Sequence, residues 1–242
     1  MRSRLIAKLE IKGNNIVKPI HFEGLKIVGS PLKISKQYYD DGIDELLLID
    51  IVSSLYQREI NYNLIKEISK KIFVPISVGG GIKSINQISK LLEHGADKIS
   101  INTFALQFNP NIINQAAKKF GSQCIISNIE VKKIDNDWIC LSDGGRVLSN
   151  KKVTDWIKEL ESRGAGEILL QSVDKDGTME GFDLELLNKV YNMVNIPIII
   201  SGGAGKIAHI KELKKKYNPD AVCVSSALHY KKLKIKDIKK IL

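Results

Sequence analysis

Long apolar runs are missing from this chain: none approaches the ~18 to 20 residues that a membrane-spanning helix needs. The N-terminal stretch Met1-Arg-Ser-Arg-Leu-Ile-Ala-Lys8 is charged and lacks the apolar segment of a signal peptide. Cysteine is scarce as well. Cys124, Cys140 and Cys223 are widely spaced with no CxxC, which excludes a disulfide frame or a thiolate zinc site and predicts reduced thiols in a cytoplasmic protein. The four histidines, His21, His94, His209 and His229, have no ligand spacing, so neither a metal nor a cofactor is implied. A nucleophile elbow is lacking, which removes a Ser-His-Asp hydrolase. Acidic residues fall short of basic ones, giving a net charge of +10. Much of the excess lies in 211–216 and 231–240, where Lys alternates with Leu and Ile as on the wet face of a helix. With no aromatic-rich RNA motif or helix-turn-helix pattern, that charge predicts attraction to anionic metabolites or an acidic partner rather than nucleic acid.

What the chain does contain, it contains twice. Pro75-Ile-Ser-Val-Gly-Gly-Gly-Ile82 returns as Pro197-Ile-Ile-Ile-Ser-Gly-Gly-Ala204, and Glu45-Leu-Leu-Leu-Ile-Asp50 as Glu167-Ile-Leu-Leu-Gln-Ser172, each 122 residues later. Leu9-Glu-Ile-Lys12 is echoed by Ile129-Glu-Val-Lys132, and the stretch from Ala96 to Thr103 by Pro219 to Ser226. Eight short apolar runs alternate with amphipathic stretches, four in each half. That alternation predicts a parallel sheet with right-handed crossovers, closed as one (β/α)8 TIM barrel over 1–242 with half-repeats of about 1–120 and 121–242. Two segments interrupt the pattern. Gly13–Pro31 reads as a lid or binding loop, and about 133–146, around Trp138-Ile-Cys-Leu141, as an inserted β-hairpin.

In such barrels the chemistry sits at the C-terminal strand ends. There the sequence places Glu10, Asp50, Gly80-Gly81, Asn102-Thr103, Glu130, Ser172 with Asp174 and Asp176, Gly202-Gly203, and Ser225-Ser226. Glycines between a strand and a helix let backbone N–H groups approach an anion. A symmetric pair of such loops, completed by Asn102-Thr103 and Ser225-Ser226, predicts a phosphate site at each side of the mouth and hence a bisphosphate ligand. A single loop would read as a tight turn only. Glu10 and Glu130 occupy equivalent places and are expected to face each other as an acid–base pair. The run Asp174-Lys-Asp-Gly-Thr178 serves as readily for an Asx-type turn.

These residues together resemble the HisF family, the cyclase subunits of imidazole glycerol phosphate synthase, nearly from Arg4 to Tyr230. The most specific stretches are Val78-Gly-Gly-Gly-Ile-Lys83, Gly95-Ala-Asp-Lys-Ile-Ser-Ile-Asn-Thr103, Gly164-Ala-Gly-Glu-Ile-Leu-Leu170, Asp174-Lys-Asp-Gly-Thr178 and Ser201-Gly-Gly-Ala-Gly205. The resemblance implies a HisH-type glutaminase partner that releases ammonia at the barrel's lower end. It makes Arg4, Glu45, Lys98 and Glu167 the ring that gates ammonia, places Asp97 at the docking face, and makes Lys18 the lysine that closes over substrate.

The departures from the family pattern fall on the chemistry. Glu10 and Glu130 stand where the family has aspartates, Lys8 where it usually has a cysteine, Ser30 for an aspartate and Gln171 for a threonine. One extra methylene moves a carboxylate by roughly an ångström, and misplacement on that scale costs on the order of 10²-fold in rate. Phe22–Gly29 and Ser54–Tyr62 are more similar to HisF-like paralogs linked to bacterial surface-polysaccharide synthesis, which are thought to help supply ammonia to a sugar amidotransferase. The expectation is therefore such a paralog. The alternatives are an active histidine-pathway cyclase, a scaffold that only activates a glutaminase, and a single-chain sugar isomerase, which would have no use for the lower ring.

Overall fold

The computed structural model describes residues 2–20, 23–56 and 60–242. His21, together with Phe22 and residues 57–59 of the two paralog-like stretches, lies outside them. Among the described residues twelve strands are formed: β1 (Arg4–Lys12), β2 (Asn15–Ile20), β3 (Glu23–Gly29), β4 (Glu45–Asp50), β5 (Ile76–Gly79), β6 (Lys98–Ile101), β7 (Ile125–Ile134), β8 (Asp137–Ser142), β9 (Val147–Lys152), β10 (Glu167–Ser172), β11 (Ile198–Ser201) and β12 (Ala221–Val224). Eight of them pair in parallel in the order β1, β4, β5, β6, β7, β10, β11, β12, and β12 returns to β1, so the barrel is closed. Helices lie between successive barrel strands, as expected of right-handed crossovers. Their starts follow from local chemistry: the side chains of Asn61, Ser84 and Asp183 each accept a hydrogen bond from the first turn that follows.

Side chains alternate along each strand, which splits the apolar residues into two layers. Outward residues such as Leu5, Leu46, Ile99 and Ile168 pack beneath the helices. Inward ones, among them Ile6, Leu47, Ile126, Leu169, Ile199 and Ala221, fill the lumen. Register keeps the inward set in line: Arg4, Ile6, Lys8 and Glu10 from β1 share the lumen with Glu45 and Leu47 from β4 and with Glu167, Leu169 and Gln171 from β10. Charge therefore sits at the two ends of the lumen, with an apolar layer between them.

The two interruptions differ in detail from the sequence-based reading. The segment expected as a loop, Gly13–Pro31, is largely an antiparallel pair, β2 on the end of β1 and β3 on β2. The insertion after the fifth barrel strand extends past 146, because β9 pairs with β8 as far as Lys152. The polar, mostly exposed run Val147–Lys152 carries no apolar stripe to announce a strand. The consequence is a symmetry of shape: β1 and β7, which open the two half-repeats, both continue beyond the barrel into a three-stranded antiparallel flap.

Candidate active site at the barrel mouth

At the lower end, Arg4 and Lys98 alternate with Glu45 and Glu167 in a closed ring. Arg4 contacts Glu45 at 2.8 Å and Glu167 at 3.1 Å, and Lys98 contacts the same two carboxylates at 3.1 and 2.9 Å. The buried Glu45 also accepts a hydrogen bond from Ser77 Oγ at 2.6 Å. Burial opposes the charge on Arg4, but the two carboxylates outweigh it and leave that guanidinium harder to deprotonate than usual. Asp97, on the same face, accepts from the Ile76 backbone N–H at 2.8 Å, which ties the turn before β5 to the start of β6.

At the mouth, Glu10 and Glu130 are both buried, in different surroundings. Glu10 belongs to a second closed ring. Lys18 Nζ, brought over the mouth by β2, lies 2.6 Å from Glu10 Oε1 and 3.2 Å from both carboxylate oxygens of Asp176. Asp176 Oδ1 accepts from Gln171 Nε2 at 3.1 Å, Gln171 Oε1 accepts from Lys8 Nζ at 2.9 Å, and Lys8 Nζ closes the circuit 3.2 Å from Glu10. Ser225 Oγ donates to the other oxygen of Glu10 at 2.9 Å. Two ammoniums thus balance two carboxylates with no member exposed beyond 4%. Burial alone would raise the Glu10 carboxyl, yet Lys18 and Lys8 together hold it well below the ordinary range. Lys8 is pushed the other way: burial opposes its charge, and Glu10 and Asp176 more than restore it.

Among the described residues, no ion pair to Glu130 is formed. It accepts from the Gly145 backbone N–H at 2.8 Å and from Asn128 Nδ2 at 3.3 Å. Burial outweighs Lys8 and these donors, so its carboxyl is pushed up to about 7. A group with that proton affinity can give or take a proton near neutrality. It opens onto a cavity of about 330 Å³ that is also lined by Asp50, Gly80, Gly81, Asn102, Thr103, Phe104 and Phe108. Four residues around that cavity, Ser53, Ser100, Asn102 and Asn128, each carry a buried oxygen with no hydrogen-bond partner.

The remaining expected site residues divide. Gly202, Gly203, Ser225, Ser226 and Asp176 line a second, much smaller cavity of about 20 Å³ on the Lys18 side. Gly80 and Gly203 are required by the fold itself: both have positive φ, and a Cβ there would lie 2.2 Å from Asp50 O and 1.9 Å from Gly181 O. Asp50 turns its Oδ1 to the backbone N–H groups of Val52 and Ser53, Asp174 accepts from the Lys133 N–H, and Ser172 donates to Asp183, so part of this polar set shapes loops. Ser172 and Asp174 line neither cavity. Sequence reasoning did not find the Gly145 contact, the four unpartnered oxygens or the stacked Phe104–Phe108 pair, whose rings lie 5.8 Å apart. The Gly145 contact had a signal: the flap that follows Glu130 is the counterpart of the one that follows Glu10.

Among the described residues, no group of three or more His, Cys, Asp or Glu is placed to hold a metal ion, and no helix is long and apolar enough to cross a membrane.

A closed, duplicated (β/α)8 barrel with an alternating charged ring at one end and paired carboxylates at the other defines a TIM barrel with a built polar site at its mouth. The histidine biosynthesis protein family matches residues 4–234. The chain is 44% identical to the imidazole glycerol phosphate synthase subunit HisF of Campylobacter concisus over 239 residues, covering 99% of this chain and 94% of that one. To the subunit of the same name from Legionella pneumophila it is 47% identical over 205 residues, 84% of this chain and 96% of the relative. The Helicobacter hepaticus subunit is 44% identical over 243 residues. The chain belongs to the HisF family.

Proposed function

We propose that this chain is the ammonia-receiving barrel of a two-subunit system. A HisH-type glutaminase docks on the face that carries Asp97, ammonia enters through the ring of Arg4, Glu45, Lys98 and Glu167, and it is used at the mouth on a phosphate-bearing acceptor. We further propose a diverged role in which the barrel supports amidation in surface-sugar synthesis, together with a sugar amidotransferase. The carrying observation is the buried ring around Glu10. A carboxylate held between Lys8 and Lys18, both within 3.2 Å, is a permanent anion rather than a group free to exchange a proton during a cyclisation. The lower ring is intact, so delivery is kept while the reacting centre is changed.

The second reading is an active imidazole glycerol phosphate synthase cyclase acting on a bisphosphate. It is favoured by 44–47% identity to relatives of that name and by the near-neutral Glu130. A cyclisation assay with saturating ammonium salt and the ribulose-linked aminoimidazole carboxamide bisphosphate separates the two. The paralog reading expects binding without turnover, and a gain of turnover in the Lys8→Cys/Glu10→Asp/Glu130→Asp variant. Turnover by the unmodified chain at the rate of a histidine-pathway cyclase would establish the second reading instead.

A further inference from the structure

Above the apolar layer, the lumen differs from one side to the other. Lys8 of β1 and Gln171 of β10 meet there, bonded at 2.9 Å. Ser100 of β6 and Asn128 of β7 stand on the far wall, and in the closed order β7 is four strands from β1. Strand alternation turns both inward, since Lys98 of β6 lies in the lower ring and Ile126 of β7 in the apolar layer. Ser100 is 3% exposed and Asn128 7%, yet Ser100 Oγ and Asn128 Oδ1 have no hydrogen-bond partner among the described residues. The Asn128 amide gives Nδ2 to Glu130 Oε1 at 3.3 Å, so its Oδ1 is turned away from that carboxylate. Buried polar atoms are nearly always matched, so these two mark a place where an N–H donor is called for. Glu130 adds charge to the same wall. It is buried, forms no ion pair among the described residues, and each of its oxygens accepts one hydrogen bond and keeps a lone pair. A carboxylate, an amide carbonyl and a hydroxyl beside one cavity fit a small cation rich in N–H groups.

We propose that Ser100, Asn128 and Glu130 form a receiving site for ammonia, held there as ammonium, at the upper end of the lumen. This rests on the ammonia-receiving reading above and fixes the point of arrival. The layer of Ile6, Leu47, Ile126 and Leu169 favours neutral ammonia over the ion, because an unpaired charge is strongly disfavoured in apolar surroundings. Beyond that layer the nitrogen lone pair takes the proton of the Glu130 carboxyl, giving ammonium beside a carboxylate. Asn128 Oδ1 and Ser100 Oγ accept its remaining N–H groups. Return of the proton to Glu130 frees the lone pair for the acceptor, so the exchange leaves no net change in protons. With its carboxyl pushed up to about 7, Glu130 is able to give and retake that proton near neutrality. Lys8 repels a cation from the opposite wall, which leaves the β6–β7 side as the way out. The other charged groups facing Glu130 are Asp176, and Asp50, Asp143 and Lys83 around the cavity.

The test is an ammonium chloride titration of the full chain labelled with carboxyl-¹³C glutamate, from pH 6 to 8 at constant ionic strength. Sodium and potassium chloride are the comparison salts, and the signals lost in Glu130→Gln and Glu10→Asp assign the two carboxyls. The expected result is a saturable shift of the Glu130 signal with ammonium alone, and a lower midpoint for its titration, because a bound cation favours the carboxylate. The Glu10 signal should not move. Asn128→Leu and Ser100→Ala should each weaken ammonium binding about tenfold, and an unchanged Glu10 signal shows that the variant is folded. A Glu130 signal indifferent to ammonium would overturn the proposal. So would an equal response to potassium or sodium, or folded variants that bind ammonium as the unmodified chain does. Coupling to glutamine hydrolysis, measured in the complex with a glutaminase, tests the delivery reading separately. Ammonium binding without coupling would remove delivery and keep the site, whereas coupling without ammonium binding would remove the site alone.

Discussion

Lys8 Nζ lies 2.9 Å from Gln171 Oε1, joining the first strand of one half-repeat to the second strand of the other across the lumen. Both residues are buried, and both are departures that the resemblance singles out, here joined in one contact. Glu10, at 3.2 Å, is the carboxylate that does most to hold the charge on Lys8, followed by Asp176. Removing one member of a buried ionic network destabilises by about 3–5 kcal/mol, because the remaining members are left unmatched.

Lys8→Met is therefore expected to lower the urea unfolding free energy by about 3 kcal/mol. Adding Gln171→Met should recover part of that loss by removing an amide oxygen that would otherwise be buried without a donor. A single variant within ~0.5 kcal/mol of the unmodified protein would mean that the ring contributes nothing to stability.

Glu130 and Glu10 give opposite pH dependences. The Glu130 carboxyl rises from 4.5 to about 7 on folding, so between those values the folded chain holds a proton that the unfolded chain has released. Its contribution to stability falls as pH rises through that window, by roughly 3 kcal/mol at about 1.4 kcal/mol per pKa unit, and is level above pH 7. Glu10 is lowered on folding, so its contribution is present above pH 4.5 and is lost as pH falls below it. Urea midpoints at pH 5, 6 and 7.5 should show Glu130→Gln gaining on the unmodified protein with each step up. Parallel curves would contradict the buried, proton-binding state of Glu130.

In the lower ring the four charges are not equivalent. Glu45 is buried and accepts from Arg4, Lys98 and Ser77, whereas Lys98 leaves Arg4 in place for both carboxylates when it is removed. Glu45→Ala should cost about 3–5 kcal/mol and Lys98→Ala about 1–2 kcal/mol in chemical unfolding. In the complex with a glutaminase, Lys98→Ala should lower glutamine-driven turnover further than ammonium-driven turnover. Equal losses would remove the gate from the proposed function.

Asp183 makes three contacts with one carboxylate. Oδ1 caps the helix Leu184–Val190 through the Leu186 N–H at 3.0 Å, while Oδ2 accepts from Trp138 Nε1 at 3.1 Å and Ser172 Oγ at 2.9 Å. Loss of a cap and of hydrogen bonds to a charged acceptor predicts about 2–3 kcal/mol for Asp183→Ala, with a changed near-ultraviolet signal from Trp138. Asp183→Asn should retain most of the stability, since its oxygen can still accept.

The barrel was legible in the sequence because each strand is a short apolar run and the order is written twice. Helix positions followed from amphipathic spacing. The flap β2–β3 was not legible: its buried lysine and its exposed Ile20 and Ile27 invert the usual pattern of a strand. Lys8 and Gln171 could each be seen as unusual, but their contact spans 163 positions and exists only once the barrel closes. The difference between Glu10 and Glu130 was hidden for the same reason. Locally both sit in the same apolar-Glu-apolar-Lys pattern, and what separates them is which side chains reach across.

The two flaps differ in how much of their contact a mutation can reach. One touches its carboxylate through a single lysine side chain, Lys18, so one codon change severs it. The other touches Glu130 through the Gly145 backbone N–H, which any residue but proline carries, although the positive φ of Gly145 favours glycine there. The turn Asp143–Arg146 can therefore vary at its surface and keep its hold on Glu130, provided the backbone keeps its path. Drift falls unevenly on such a molecule: the half that depends on a side chain is fragile, and the half that depends on the main chain is free to change its outer surface around a fixed contact.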